Sequence, residues 1–125
     1  IDIATTAKEI GLKIIVITNL KYSTSVTSKH PSNKKLYEFA DIVIDNHGDI
    51  GDACIKLPGL DQKTGPTSTF VGSAIVNTLI TESCKNLINK GISSPPIFYS
   101  ANIDGGDELN KKIYNEYKEV IHYKL

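Results

Sequence analysis

Arginine, methionine and tryptophan are absent from this chain of 125 residues, and cysteine occurs only twice. Without arginine there is no guanidinium fork for carboxylate or phosphate, so an anion site must use lysine, hydroxyls or backbone N–H groups. Fourteen lysines balance 14 acids, and a net charge of zero gives no long-range field to attract nucleic acid or anionic lipid. Nucleic-acid and membrane partners are therefore not expected. No apolar run approaches the roughly 18–20 residues of a membrane helix; the longest, Ile14 to Ile17, is the length of a strand. No spanning helix and no secretion signal are expected. Cys54 and Cys84 form neither a Cys-x-x-Cys pair nor a His-Cys cluster, which predicts free thiols in a reducing cytosol and no metal site. The chain opens at Ile1 without an initiating methionine and reads as a piece of a longer protein.

What is present alternates between helical and strand-like patterns. Ile3, Ala7 and Ile10 have helical spacing and precede Gly11, which predicts a short helix with a glycine stop. Leu12 to Thr18 is a β-branched run of the kind buried on both faces of a parallel sheet. Asn19 to His30, rich in hydroxyls between Ser23 and Ser28, reads as a loop at the carboxyl end of that strand. Ser32 is placed to cap a helix over Asn33–Ala40, Asp41–Asp45 reads as a second strand, and Ala53–Leu57 as a third. Pro58–Pro66 has the composition of a connection. A long helix follows from Thr67 to Lys90 and stops at Gly91; its two apolar stripes, Val71/Ile75/Leu79 and Val76/Ile80/Leu87, place it between a sheet and a further surface such as a second subunit. Ile97–Ala101 is a fourth candidate strand, and Asp104–Glu108 opens a last amphipathic helix. The order predicts one α/β domain, a doubly wound parallel sheet with helices on both faces.

In such sheets ligands bind beyond the carboxyl ends of the strands, near helix N-termini. Three segments fall there: Thr18–Ser28, Asn46–Asp52 and Lys63–Ser68. Thr18 and Asn19 leave the first strand, and Thr64-Gly-Pro-Thr-Ser68 joins a permissive glycine, Gly65, to two hydroxyls at the start of the long helix. That combination suits a phosphate or sugar oxygen, and also an ordinary helix cap. No dinucleotide fingerprint or P-loop occurs. The titratable candidates are His30, His47, His122, Asp52 and Glu82. Glu82 continues the Ile75 stripe, and a carboxylate desolvated there is a general-base candidate.

Three stretches carry a resemblance: Ala7 to Thr18, Ala40 to Asp45, and Thr64 to Asn77. They resemble the SIS (sugar isomerase) domain, a phosphosugar-binding α/β fold. Lys29-His-Pro-Ser-Asn-Lys-Lys-Leu36 and Ala101-Asn-Ile-Asp-Gly-Gly-Asp-Glu108 are similar to a bacterial SIS group that carries the label phosphoheptose isomerase, in which Gly usually stands at the place of Asn33. The resemblance implies a flavodoxin-like sheet, a homodimer or homotetramer, and a ligand held in part by Pro66, Thr67 and Ser68. It also implies that the principal phosphate loop precedes Ile1. Phosphoheptose isomerases carry a catalytic histidine early in the long helix, and Thr67-Ser-Thr-Phe70 has none.

Two functions follow from this reading. One is a cofactor-free, cytoplasmic sugar-phosphate isomerase working through an enediol, with Glu82 or His30 as base and Thr18, Asn19, Thr64, Gly65, Pro66, Thr67 and Ser68 binding substrate. The other is a phosphosugar sensor without chemistry of its own.

Overall fold

The structure is a computed structural model in which residues 1–120 are described. The chain divides into two compact units, residues 1–78 and 79–125.

The first unit begins with helix α1, Asp2–Glu9, which ends as its sequence predicts. Gly11 takes a left-handed φ of 79°. Its N–H donates to the Lys8 carbonyl at 3.0 Å and that of Leu12 to the Ala7 carbonyl at 2.8 Å, the paired bonds of a Schellman stop. Strand β1, Ile15–Thr18, follows, then helix α2, Leu20–Ser25, a 3-10 turn at Leu36–Phe39, and strand β2, Ile42–Asp45. β1 and β2 are parallel, with Ile15 opposite Ile42 and Thr18 opposite Asp45. The 3-10 turn packs on both α1 and β1. Val16 and Ala4 are the buried hydrophobic side chains among the described residues, whereas Ile15 is 55% exposed. One face of β1 is thus covered, not both as its composition predicts.

Two local expectations change for identifiable reasons. Asn19 to His30 is not all loop, because the hydroxyls from 23 to 25 bond back into the chain. Thr24 Oγ1 donates to the Leu20 carbonyl at 2.8 Å and Ser25 Oγ to the Tyr22 carbonyl at 2.9 Å, which reconciles such residues with a helix. Asn19 Oδ1 caps this helix by accepting from Tyr22 N at 2.9 Å. The expected helix over Asn33–Ala40 shrinks to the 3-10 turn. Asn33 has a left-handed φ of 56°, which cannot open a helix, and the Ser32 hydroxyl is shared between His30 Nδ1 at 2.7 Å and Lys34 N at 3.3 Å.

Strands β3, Ala53–Ile55, and β4, Thr64–Pro66, pair antiparallel, with Ala53 opposite Pro66 and Ile55 opposite Thr64. The expected connection therefore contains a strand. Its glycine and proline hide it from pattern reading, and such residues are tolerated at an edge. Gly65 has φ 71°, and a Cβ there would lie 2.9 Å from Ile55 Cδ1. Helix α3, Ser68–Asn89, leaves directly from β4 and carries the boundary between the units.

The second unit holds the end of α3, a stop at Gly91 of the same paired form (Gly91 N to Ile88 O at 2.9 Å, Ile92 N to Leu87 O at 3.1 Å), and helix α4, Gly106–Tyr117. Ile97–Ala101 is not a strand. Tyr99, its middle residue, gives its N–H to Asn110 Oδ1 at 2.7 Å and receives Asn110 Nδ2 on its carbonyl at 2.9 Å. The side-chain amide thus takes both groups a neighbouring strand would use. Of the α3 stripes, Val71 and Ile75 are half-buried, while Leu79, at the end of the first, and Val76 and Ile80 are exposed.

The described residues are thus mixed α/β, with a parallel and an antiparallel pair of strands in place of the single doubly wound sheet. No helix among them is long and apolar enough to cross a membrane. Val16→Ala is expected to cost about 2 kcal/mol through lost burial. Gly65→Ala is expected to cost about 1–3 kcal/mol through left-handed strain. Urea unfolding checks both.

Candidate functional site

The carboxyl ends of β1 and β2 lie side by side because the ladder is parallel, and Asn46 N extends it to the Thr18 carbonyl at 2.9 Å. Three segments distant in sequence meet there. A Cβ placed on Gly48 would lie 3.0 Å from Asn19 Nδ2, 3.4 Å from Asn46 Oδ1 and 3.5 Å from Thr67 Oγ1. A side chain at this position would push the Asn19 amide aside by a few tenths of an ångström. Asn19 Nδ2 donates to the Asp49 carbonyl at 3.0 Å, and Gly48 N to Asn46 Oδ1 at 3.1 Å. Thr18 Oγ1 and Ser23 Oγ share a hydrogen bond of 2.9 Å beside this junction.

Three carboxylates belong to the same edge, each held by fixed donors. Asp45 Oδ1 accepts from His47 N at 3.0 Å and Leu20 N at 3.1 Å, and these backbone bonds hold its carboxyl below the usual value. Asp49 pairs with Lys63 at 2.6 Å, and that contact lowers its pKa. Asp52, in a left-handed conformation with φ 69°, turns its carboxylate to the start of α3. Oδ1 accepts from Ser68 N at 2.8 Å, Thr67 N at 3.1 Å and Thr67 Oγ1 at 3.2 Å, and Oδ2 from Ser68 Oγ at 2.6 Å. The Ser68 hydroxyl is the chief reason its pKa falls below 3.8.

The structure therefore brings Thr18, Asn19 and Thr67 to one edge, with Ser68 joined to Thr67 through Asp52. The N–H and hydroxyl donors that the sequence assigns to an anion are satisfied by this carboxylate, which does for the helix dipole what a bound anion would do. Thr64, Gly65 and Pro66 serve the β3–β4 pair; the close approach at Gly65 is made by Ile55. Asn46, Gly48 and Asp49, which the sequence reading placed on a ligand-side segment without naming them as binding residues, form the centre of the edge. The available signal was the Asn and Asp density between two candidate strands.

Neither expected base stands as anticipated. Glu82 is not desolvated: its side chain is 55% exposed and pairs with Lys85 at 3.2 Å. His30 has both ring nitrogens engaged, Nε2 with Asp2 Oδ1 at 2.8 Å and Nδ1 with Ser32 Oγ at 2.7 Å. Ser32 N also donates to Nδ1 at 3.2 Å, so the ring proton lies on Nε2 and the histidine ties α1 to the loop before the 3-10 turn. His122 lies outside the described residues. No cluster of three or more His, Cys, Asp or Glu suited to a metal occurs among the described residues.

No family profile matches the chain. It is 45% identical over 123 residues to a UPF0309 protein of Shouchella clausii, covering 98% of this chain and 50% of that protein. Similar matches are a UPF0309 protein of Oceanobacillus iheyensis, 46% identical with the same coverage, and one of Geobacillus kaustophilus, 47% identical over 97% of this chain and 48% of that protein. The chain spans about half the length of the curated relatives it matches.

The Asp52 contacts make a signed prediction. A carboxyl whose pKa is lowered by folding stabilises above its ordinary value and loses that contribution as pH falls through the folded one. Asp52→Asn is expected to melt several degrees below the parent at pH 7. The gap should close as pH falls below about 4, checked by paired thermal melts from pH 7 to 2.5.

Proposed function

We propose that the edge formed by Thr18, Asn19, Asn46, Gly48 and Thr67 binds a phosphorylated sugar, the ligand that the SIS resemblance implies. The observation that carries the reading is the convergence of Asn19, Asn46 and Thr67 around Gly48 at the carboxyl end of a parallel strand pair. Amides, hydroxyls and carboxylates in alternation match the donor and acceptor pattern of sugar hydroxyls. For the phosphate, Lys63 supplies charge, and a phosphate at Thr67 and Ser68 must displace Asp52. Binding is favoured over an isomerase built on Glu82 or His30, since both side chains are committed elsewhere.

In the same proposal the β1–β2 pair is part of a larger flavodoxin-like, doubly wound sheet. The exposed Ile15 and Ile42 support that reading. The outward apolar residues of α3 support a homodimer or homotetramer. A cytoplasmic location accords with the two free cysteines.

Thermal-shift titration with hexose and heptose phosphates, their parent sugars and inorganic phosphate tests the binding. A sugar phosphate is expected to raise Tm more than either half alone. Gly48→Ala, which crowds the Asn19 amide, is expected to weaken that ligand about tenfold, or about 1.4 kcal/mol. Asp52→Asn is expected to bind it more tightly than the parent. No shift with any sugar phosphate would overturn the proposal.

A further inference from the structure

We propose that the outer edge of β3 pairs with the same edge of a second copy of this chain, about a two-fold axis at Cys54, joining the two hairpins into one continuous antiparallel sheet. The pairing does not depend on the phosphosugar reading and uses a surface other than α3. Strands β3 and β4 have only each other as sheet partners among the described residues. A sheet of two strands is marginal in water and needs a further strand or a cover to be stable. This one leaves Ile55 51% exposed, with Leu57 and Leu60 exposed beyond it.

The ladder shows which edge is open. Thr67 N donates to the Asp52 carbonyl at 3.3 Å, while Ala53 stands opposite Pro66 and Ile55 opposite Thr64. Bonded and non-bonded positions alternate along an antiparallel pair. Cys54 therefore exchanges its backbone bonds with Gly65, and the N–H and C=O groups of Ala53 and Ile55 point outward. No turn, loop or cap bond engages them among the described residues. On the far side of β4 the outward positions are Thr64 and Pro66, and proline has no N–H to offer. The hairpin's free ladder is thus the edge of β3.

A second copy fits that ladder because the edge is complementary to itself. With Cys54 facing the partner's Cys54, Ala53 meets the partner's Ile55, and each such pair exchanges both backbone bonds. A small residue faces a large one there, so Ile55 gains cover without crowding. One step further out, Lys56 falls opposite the partner's Asp52. Lys56 is exposed and has no ion pair among the described residues. Asp52 is kept ionised by its donors at the start of α3. The two opposite charges recur on both sides of the axis, which favours a like partner over an unrelated strand. The pairing also brings an ammonium of the partner towards the start of α3, in a chain that has no guanidinium.

Cross-linking and sedimentation equilibrium test the pairing. In a Cys84→Ser background, Cys54 is the remaining thiol of this sequence. Residues facing each other in a non-hydrogen-bonded pair have Cα atoms about 4.5 Å apart, within the roughly 4.4–6.8 Å that a disulfide spans. The thiol, which donates to the Gly65 carbonyl at 3.4 Å, has only to turn about its χ1 to meet its mate. Diamide, which takes up the electrons and protons of both thiols, is expected to convert the dimer to a disulfide between the two copies of Cys54 at a rate independent of protein concentration. Lys56→Glu sets like charges across the axis and is expected to weaken dimerisation about tenfold or more, with the circular dichroism spectrum of the monomer unchanged. A protein that sediments as a monomer, a dimer without the Cys54 disulfide, or a dimer indifferent to Lys56→Glu overturns the proposal. None of these outcomes bears on sugar phosphate binding, which its own titration decides.

Discussion

The contact between the Asp52 carboxylate and the first residues of α3 organises the ligand-side edge. It joins the β3–β4 hairpin to the long helix by bonds to two backbone amides and two hydroxyls. That junction sets Thr67 where it meets Gly48 and Asn19. A carboxylate at a helix start is favourable through the orphan N–H groups and the dipole alike. Here the acid comes from 16 positions earlier in the chain, so it fixes tertiary structure as well as ending a helix. Asp52 accepts a left-handed backbone to reach its partners.

The chemistry of the edge follows from the missing guanidinium. Its carboxylates are each matched by local donors: backbone amides for Asp45, the Lys63 ammonium for Asp49, amides and hydroxyls for Asp52. In the proposed reading, a polyhydroxylated ligand with an anionic end engages the amide and hydroxyl groups of this edge and the Lys63 ammonium in exchange for their present partners. A phosphate competing for the helix start meets a tethered rival, so occupancy of that start by ligand and by Asp52 are alternatives.

The parts of the fold readable from sequence were those with strong local chemistry. The glycine stops at Gly11 and Gly91, the strands at Ile15–Thr18 and Ile42–Asp45, and the long helix all follow from periodicity and cap residues. Asn33, expected to open a helix, instead takes a left-handed conformation that Asn tolerates. Reading failed where a side chain did a backbone's work: Asn110 holding Tyr99, Thr24 and Ser25 bonding back into α2, Ser32 turned to His30. Strand β4 escaped because Gly and Pro dominate it. At the site, the carboxyl edge and the presence of Asn19 and Thr67 along it were legible from strand order. Asp52 was visible only as a titratable residue, since nothing local reveals a partner across the hairpin. Glu82 was misjudged because stripe membership alone does not report burial, and α3 has no fully buried residue.

The most direct test of the central claim is a two-dimensional amide NMR titration of the protein with the sugar phosphate that stabilises it most, read residue by residue. The account predicts saturable shifts concentrated at Asn19, Gly48, Thr67 and the side-chain amide of Asn46. Shifts confined to other surfaces, with these resonances unmoved at saturation, would contradict it.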